Sequence, residues 1–248
     1  MVVKYGLGTL AMLFSMHSMA ADLRVAVSAN FKPVLEHLAE QFKKQTGHKV
    51  SIASASTGVL YNQIMHGAPF DLFFSADQTR PLELEKKGKV LPDSRKTYAI
   101  GRLVLWDRNT DPKKPFTLDQ LKDWKGKLAM ANPKTAPYGF AAEQTLENLG
   151  LWQNYQGRLV QGANIQQTWQ FVASGNVDVG LVALSQLSGE ALKRISYVPD
   201  TLYDPIRQDM VVLKSTQNSK EARAFAAFVL SESSQNYMAE HGYHSPIK

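Results

Sequence analysis

The 248-residue chain contains no cysteine. Disulfides, cysteine metal sites and thiolate nucleophiles are therefore excluded, and the fold has to be stabilised by its apolar core. Long hydrophobic runs are missing as well. The apolar run at residues 5–14 is much shorter than the roughly 20 residues that a membrane-spanning helix needs. These absences favour a globular protein without a transmembrane anchor.

Acidic residues are fewer than basic ones, with 22 Asp and Glu against 28 Lys and Arg and a formal net charge of +6 at pH 7. The basic residues are scattered along the chain instead of forming a stripe with aromatic residues. We therefore interpret them as a solvated surface and expect no nucleic-acid partner. No G-x-S-x-G elbow is present, and no Ser and His occupy plausible catalytic positions, so we expect no enzyme.

The first residues have the organisation of an export signal. Lys4 precedes the apolar run at residues 5–14, and Ser18-Met19-Ala20 places small residues at the −3 and −1 positions that signal peptidase needs. We predict a signal peptide over residues 1–21, cleaved near Ala20 or Ala21, and a periplasmic location. Because no cysteine follows this segment, a lipid anchor is not expected.

The remainder alternates between strand-like and helix-like segments. Strands at 23–27, 49–53 and 71–75 alternate with helices at 32–45 and 59–66. After a long apolar strand at 98–106, a second series has strands at 127–131, 159–160 and 177–183, with helices at 139–149 and 165–173. A strand at 208–214 and helical segments over 219–239 follow. This order predicts two α/β lobes with parallel sheets, formed by residues 22–101 plus 208–248 and by residues 102–207.

Four polar turns follow predicted strands and open predicted helices. Helix starts carry unpaired backbone N–H groups and a positive dipole end, so converging starts would bind a small anion without Arg or Lys. The turns are Ser28-Ala29-Asn30-Phe31, Ser54-Ala55-Ser56-Thr57-Gly58, Asn132 to Gly139, and Ala163-Asn164-Ile165. In the plainer interpretation, Asn30, Thr57 and Asn164 only cap helices.

These turns, together with one further run, resemble a known family. The run Gly67-Ala68-Pro69-Phe70-Asp71-Leu72-Phe73-Phe74-Ser75-Ala76-Asp77 occurs with Asn30-Phe31, Ser56-Thr57-Gly58, Asn132-Pro133 and Ala136-Pro137-Tyr138-Gly139 in order. The pattern is similar to the periplasmic molybdate-binding proteins of ABC transporters. The resemblance implies a type II periplasmic binding fold, in which two parallel-rich α/β lobes close over a ligand cleft by hinge bending. We place the hinge at residues 98–102 and 203–208, where Gly101 would supply flexibility.

The resemblance also implies a set of anion-binding residues and partners. The expected ligands of the oxyanion are Asn30, Thr57, Tyr138 and Ile165. Asn30 and Thr57 would donate through side chain and backbone, Tyr138 through its hydroxyl or N–H, and Ile165 through its N–H alone. Two positions depart from the family, because Ala29 and Ala183 lack hydroxyls that some relatives have there. We expect molybdate or tungstate as the ligand, a membrane-embedded ABC permease as partner, no resident cofactor, and a monomer.

Other functions stay open at this point. The same fold could bind sulfate or an organic acid, although amino-acid binders usually use an Arg that these turns lack. A secreted hydrolase and a regulatory sensor domain are further alternatives, against which the missing nucleophile motif and the signal peptide argue. We interpret Asp71 and Asp77 as a turn residue and a helix cap instead of an acid pair. His241 and His244 we interpret as surface residues and not as metal ligands.

Overall fold

The computed structural model describes residues 21–246. The predicted signal peptide, apart from Ala21, lies outside these residues. Within residues 21–246, no helix has the length and apolar character needed to cross a membrane.

Strands and helices alternate through the described chain. The strands are β1 (Asp22–Ser28), β2 (Lys49–Ala55), β3 (Leu72–Phe74), β4 (Lys96–Gly101), β5 (Leu103–Asp107), β6 (Leu128–Ala131), β7 (Leu159–Gly162), β8 (Val179–Ala183), β9 (Ile195–Tyr197) and β10 (Ile206–Val212). The α-helices are α1 (Lys32–Thr46), α2 (Thr57–Met65), α3 (Thr79–Lys86), α4 (Pro137–Asn148), α5 (Trp152–Tyr155), α6 (Ile165–Ala173), α7 (Ser219–Val229) and α8 (Glu232–Glu240).

The strands form two five-stranded mixed sheets, which with their helices we call the first and second lobes. The first sheet has the order β2-β1-β3-β10-β4, and the second has the order β7-β6-β8-β5-β9. In the first, β1 pairs parallel with β2 and β3, while β10 runs antiparallel to β3 and β4. In the second, β6 pairs parallel with β7 and β8, and β5 is antiparallel to its neighbours. The return of β10 to the first sheet agrees with the sequence prediction, whereas the exact lobe boundaries stay a prediction.

The apolar pattern explains how each helix packs on its sheet. In α1 the buried residues Val34, Leu35, Leu38 and Phe42 recur at helical spacing and lie in one core cluster with Val25 of β1. Gly47 ends the helix with φ 79°, and its N–H donates to the Lys43 carbonyl at 2.8 Å. A residue with a side chain would be strained in that left-handed conformation.

The predicted long strand at 98–106 is wrong as a single element. It consists of β4 and β5, which belong to different sheets, with Arg102 between them as the chain crosses from one lobe to the other. The apolar run is continuous because the strands on both sides of the crossing are buried. Hydrophobic periodicity does not reveal where the chain passes from one sheet to the other. The sequence also missed β9 and α3, which are short.

Candidate functional site

A small cavity lies between the two lobes, at the edge where the parallel strands end. Its volume is about 10 Å³, counted as the space open to the centre of a water-sized sphere. It is lined by Ser28, Ala29, Asn30, Ser56, Thr57, Ala76, Ala136, Pro137, Tyr138, Asn164 and Ile165. All four residues that the sequence predicted as ligands therefore lie around one cavity.

Three helix starts point at this cavity. Thr57 is the first residue of α2, Tyr138 the second of α4 and Ile165 the first of α6. N–H groups in the first turn of a helix have no acceptor within the helix. Among the turn, cap and loop hydrogen bonds of residues 21–246, none uses the N–H of these three residues or of Asn30. The cavity is thus supplied with uncommitted backbone donors from both lobes.

Asn30 lies in the turn after β1, and its side chain is already engaged. Its amide Nδ2 donates to Gln208 Oε1 at 2.9 Å and to Tyr243 Oη at 3.1 Å. The Asn30 carbonyl accepts a hydrogen bond from Tyr243 Oη at 2.9 Å. The prediction that Asn30 donates to an anion through its side chain is therefore not supported by this geometry, which leaves its backbone N–H as the available donor.

The Thr57 hydroxyl forms hydrogen bonds within the first lobe. It lies 2.5 Å from Ser28 Oγ, and the Ala76 N–H donates to both oxygens at 3.0 to 3.1 Å. Thr57 and Ser28 are almost completely buried. These bonds tie together the ends of β1, β2 and β3, so they hold the α2 start in place.

The Tyr138 hydroxyl bonds to the first lobe. Its Oη accepts a hydrogen bond from Gln208 Nε2 at 3.3 Å, and the same Gln208 accepts one from Tyr98 Oη at 3.0 Å. Burial raises the pKa of Tyr98 and of Tyr138 well above the ordinary tyrosine value, so both hydroxyls stay protonated. Of the two donors predicted for Tyr138, the N–H is the one that remains free.

Gly101 has a steric role in this arrangement. A Cβ atom there would collide with Tyr138 Oη and approach Gln208 Nε2 to 2.6 Å. Its backbone is not in the left-handed region. The position therefore needs the absence of a side chain in this arrangement, and the flexibility of Gly101 stays a prediction.

The α6 start is held by its own cap. Asn164 is extended, with φ −152° and ψ 175°, and its Oδ1 accepts a hydrogen bond from the Gln167 N–H at 2.9 Å. The Ile165 side chain packs into the core of the second lobe, and its carbonyl accepts a hydrogen bond from Gln186 Nε2 at 3.1 Å. The Ile165 N–H is the polar group of this residue that is left for the cavity, and its contact with an anion stays a prediction.

The cavity lining carries no formal charge. Each of its eleven residues is uncharged near neutral pH, and the positive ends of the helices face inward. An anion can bind in this cavity without a protein cation, because several N–H dipoles share the negative charge of the anion. The site therefore suits a small dianion better than a cation or an apolar ligand.

Hydrogen bonds between the lobes close the cavity on two sides. The Gly58 N–H donates to the Thr135 carbonyl at 2.9 Å, and Arg80 Nη2 donates to the Lys134 carbonyl at 3.3 Å. On the other side, Ser185 Oγ lies 3.5 Å from the Asn30 carbonyl. These bonds hold the two lobes together around the cavity.

Sequence reasoning missed the residues that support the site from behind. Gln208 and Tyr243 are buried and join Asn30, yet they lie 178 and 213 residues away in the chain. The polar run Arg207-Gln208-Asp209 within β10 was an available signal.

The remaining sequence interpretations concern side chains outside the cavity. Asp71 accepts a hydrogen bond from the Arg24 N–H at 2.7 Å, and Asp77 accepts one from the Arg80 N–H at 3.0 Å in the first turn of α3. Both carboxylates thus have structural partners. Over residues 21–246, no group of three or more metal-ligating side chains comes together, and this includes the His241 region.

Comparison with known proteins gives the class of protein to which this fold and site belong. Residues 23–244 match the family described as bacterial extracellular solute-binding protein. This match covers most of the chain, so the chain belongs to that family. The prediction of a binding protein instead of an enzyme is thereby confirmed.

Two relatives and one solved structure are similar to this chain over most of its length. Molybdate-binding protein ModA of Azotobacter vinelandii is 42% identical, covering 98% of this chain and 96% of the relative. Molybdate-binding protein ModA of Rhodobacter capsulatus is 37% identical, covering 94% and 92%. The solved structure of the Azotobacter vinelandii periplasmic molybdate-binding protein superposes with a TM-score of 0.84 at 39% identity, covering 90% of this chain and 99% of that one. The predicted fold class and the predicted family resemblance are confirmed.

Proposed function

We propose that the protein captures molybdate, and also tungstate, in the cavity and delivers it to a membrane-embedded ABC permease. The observation that carries this proposal is the convergence of uncommitted N–H groups from Asn30, Thr57, Tyr138 and Ile165 on one uncharged cavity. The names of the two relatives and of the solved structure support the choice of anion.

The chemistry of the cavity favours a dianion that keeps no proton. Neutral donors disperse its charge, and exclusion of water makes each hydrogen bond stronger than it would be in solution. Since the donors are fixed by helix starts, a sulfate ion with its shorter bonds would leave some of them unsatisfied. Each unmade bond costs about 1 to 3 kcal/mol, so size selects against sulfate. Tungstate is nearly the same size as molybdate, and no feature of the lining separates the two.

The proposed capture depends on bending at the two connections between the lobes. The chain passes between the lobes at Arg102 and again between β9 and β10. Bending at these two connections would open the cavity and admit the anion. We propose that the mature protein acts as a monomer, because all the donors come from one chain; light scattering of the purified protein tests this directly.

The test is a calorimetric titration of the mature protein with molybdate, tungstate, sulfate and phosphate in turn. We expect tight binding of the first two and little heat from the others. If molybdate gives no heat while sulfate or an organic acid binds, the proposed ligand is wrong and the alternative anion takes its place. Delivery is tested separately, by molybdate uptake in vesicles that carry the permease, with and without the binding protein.

A further inference from the structure

One polar atom at the cavity has no partner in the protein. The Ser56 side chain is 4% exposed, and its Oγ makes no hydrogen bond. Within residues 21–246 only two other buried side-chain atoms share this condition, the indole nitrogens of Trp106 and Trp124, and neither lines the cavity. An unpaired buried hydroxyl costs free energy, so its position beside a proposed ligand site calls for an explanation.

The backbone position of Ser56 would allow its hydroxyl to cap α2, but no such bond is formed. It is the N-cap of α2, with φ −67° and ψ 150°, where a serine normally accepts a hydrogen bond from an N–H of the first turn. Asn164 before α6 and Ser231 before α8 both make such a bond. Ser56 makes none, and its hydroxyl instead borders the cavity.

The neighbouring hydroxyls differ from Ser56 in this respect. Those of Ser28 and Thr57 bond each other and share the Ala76 N–H. Ala29, which follows the Ser28–Ala55 pair in the register of β1 and β2, has no hydroxyl at all. Ser56 is thus the one cavity-lining hydroxyl among residues 21–246 that has no hydrogen-bond partner of any kind. The Ser28–Thr57 pair also keeps one O–H proton without an acceptor, but its two oxygens are held by each other and by the Ala76 N–H.

We infer that Ser56 Oγ donates a hydrogen bond directly to the bound oxyanion, in addition to the four predicted ligands. This inference rests on the proposed function and deepens it. The backbone donors come with the fold, whereas this donor depends on the side chain at position 56. The Ser56 hydroxyl has no hydrogen-bond partner within the protein, and the bound anion would supply its acceptor.

The experiment compares Ser56→Ala and Ser56→Gly with the unaltered protein, using sodium molybdate as the probe. Both changes remove the hydroxyl, and glycine is also tolerated at an N-cap, so a folding defect in one variant leaves the other for the test. Calorimetry measures the dissociation constant, and thermal unfolding without anion measures the stability of the free protein. Ser231→Ala is the matched control, because it removes a serine that does cap a helix and lies away from the cavity.

We expect the dissociation constant to rise about 10- to 100-fold in both Ser56 variants, which is the effect of losing one hydrogen bond to a charged group. The melting temperature of the anion-free Ser56→Ala variant should be unchanged or higher, because no bond is lost. Ser231→Ala should lower the melting temperature and leave the dissociation constant unchanged.

Two results would overturn the inference. A dissociation constant within twofold of the unaltered protein would show that Ser56 does not contact the anion. A lower melting temperature together with unchanged affinity would show that Ser56 is a capping residue in solution. If the unaltered protein itself fails to bind molybdate, it is the proposed function that fails, and this outcome is recognised before any variant is made.

Discussion

At the scale of single residues, the side chains that support the cavity are distinct from the backbone N–H groups that remain uncommitted beside it. Thr57, Tyr138 and Asn30 are held by buried side-chain hydrogen bonds, while their N–H groups remain free. Two functions are thus carried by different atoms of the same residue. Substitutions that alter only the side chain should therefore change stability together with affinity.

Thr57→Val tests this coupling. Valine keeps the shape of threonine but removes the hydroxyl, so Ser28 loses one hydrogen-bond partner and the Ala76 N–H loses one of two. We expect the free energy of unfolding to fall by about 1 to 3 kcal/mol and molybdate affinity to fall at least tenfold. Urea denaturation without anion and calorimetry measure the two effects.

Ile165→Val is the control for Thr57→Val, because only the backbone N–H of Ile165 is available to the cavity. The molybdate affinity of the Ile165→Val protein should barely change. A Thr57→Val protein with undiminished stability would contradict the hydrogen bonds described for Ser28 and Ala76. A large loss of affinity in Ile165→Val would contradict the assignment of its N–H.

Gly101→Ala tests the close approach behind Tyr138. The added methyl group would displace the Tyr138 hydroxyl and the Gln208 amide, so α4 would have to shift at its start. Such overpacking typically costs about 1 to 3 kcal/mol, and we expect weaker molybdate binding as well. Thermal unfolding and calorimetry measure the two changes. Gly157→Ala is the control, because a Cβ atom there meets nothing within 4 Å; equal behaviour of the two variants would refute the steric role.

At the scale of helices and strands, the sequence predicted most of what positions the site. The helix over 165–173 was predicted with its observed bounds, because Asn164 is a good cap and the apolar residues behind it recur at helical spacing. The strand over 98–106 was wrong because two buried strands joined by a crossing have the same apolar character as one. The hydroxyl partners were not predictable, since they join residues far apart in the chain.

Asn164→Asp tests whether the α6 start contributes to anion binding through its positive end. Aspartate caps a helix as well as asparagine does, so the stability of the free protein should be unchanged or slightly higher. Its negative charge beside the cavity should nevertheless weaken molybdate binding at least tenfold, and more at low ionic strength. Calorimetry at two salt concentrations provides the measurement.

Asn164→Ala distinguishes charge from capping at this position. It should lower the free energy of unfolding by about 1 kcal/mol and weaken binding less than aspartate does. If both variants bind molybdate as the unaltered protein does, the α6 start takes no part in binding.

At the scale of the whole molecule, buried tyrosines join the two lobes and the C-terminal segment. Tyr98 and Tyr138 meet through Gln208, and Tyr243 contacts Asn30. Burial raises the pKa of all three tyrosines and is the largest influence on each. The two-lobed architecture was predictable from the alternation of strands and helices. This buried polar cluster was not, because it depends on how three distant segments pack.

The raised pKa values predict a stability loss at alkaline pH. The unfolded chain releases tyrosine protons near pH 10, whereas the folded protein retains them to higher pH. Stability that these groups contribute is therefore complete below pH 10 and decreases as the pH rises above it. We expect the melting temperature to fall steeply between pH 9.5 and 11 (about the range of free tyrosine titration). Tyr243→Phe should make this fall shallower; an identical pH profile would show that Tyr243 does not contribute.

The division of the cavity lining between two lobes has a consequence for how the cargo leaves. Each lobe alone offers about half of the donors, so tight retention belongs to the closed shape and to neither half. A partner that merely holds the lobes apart would turn a strong binder into a weak one without touching the anion. On the proposed function, release to a permease would therefore need only the separation of the two lobes, after which the ion dissociates.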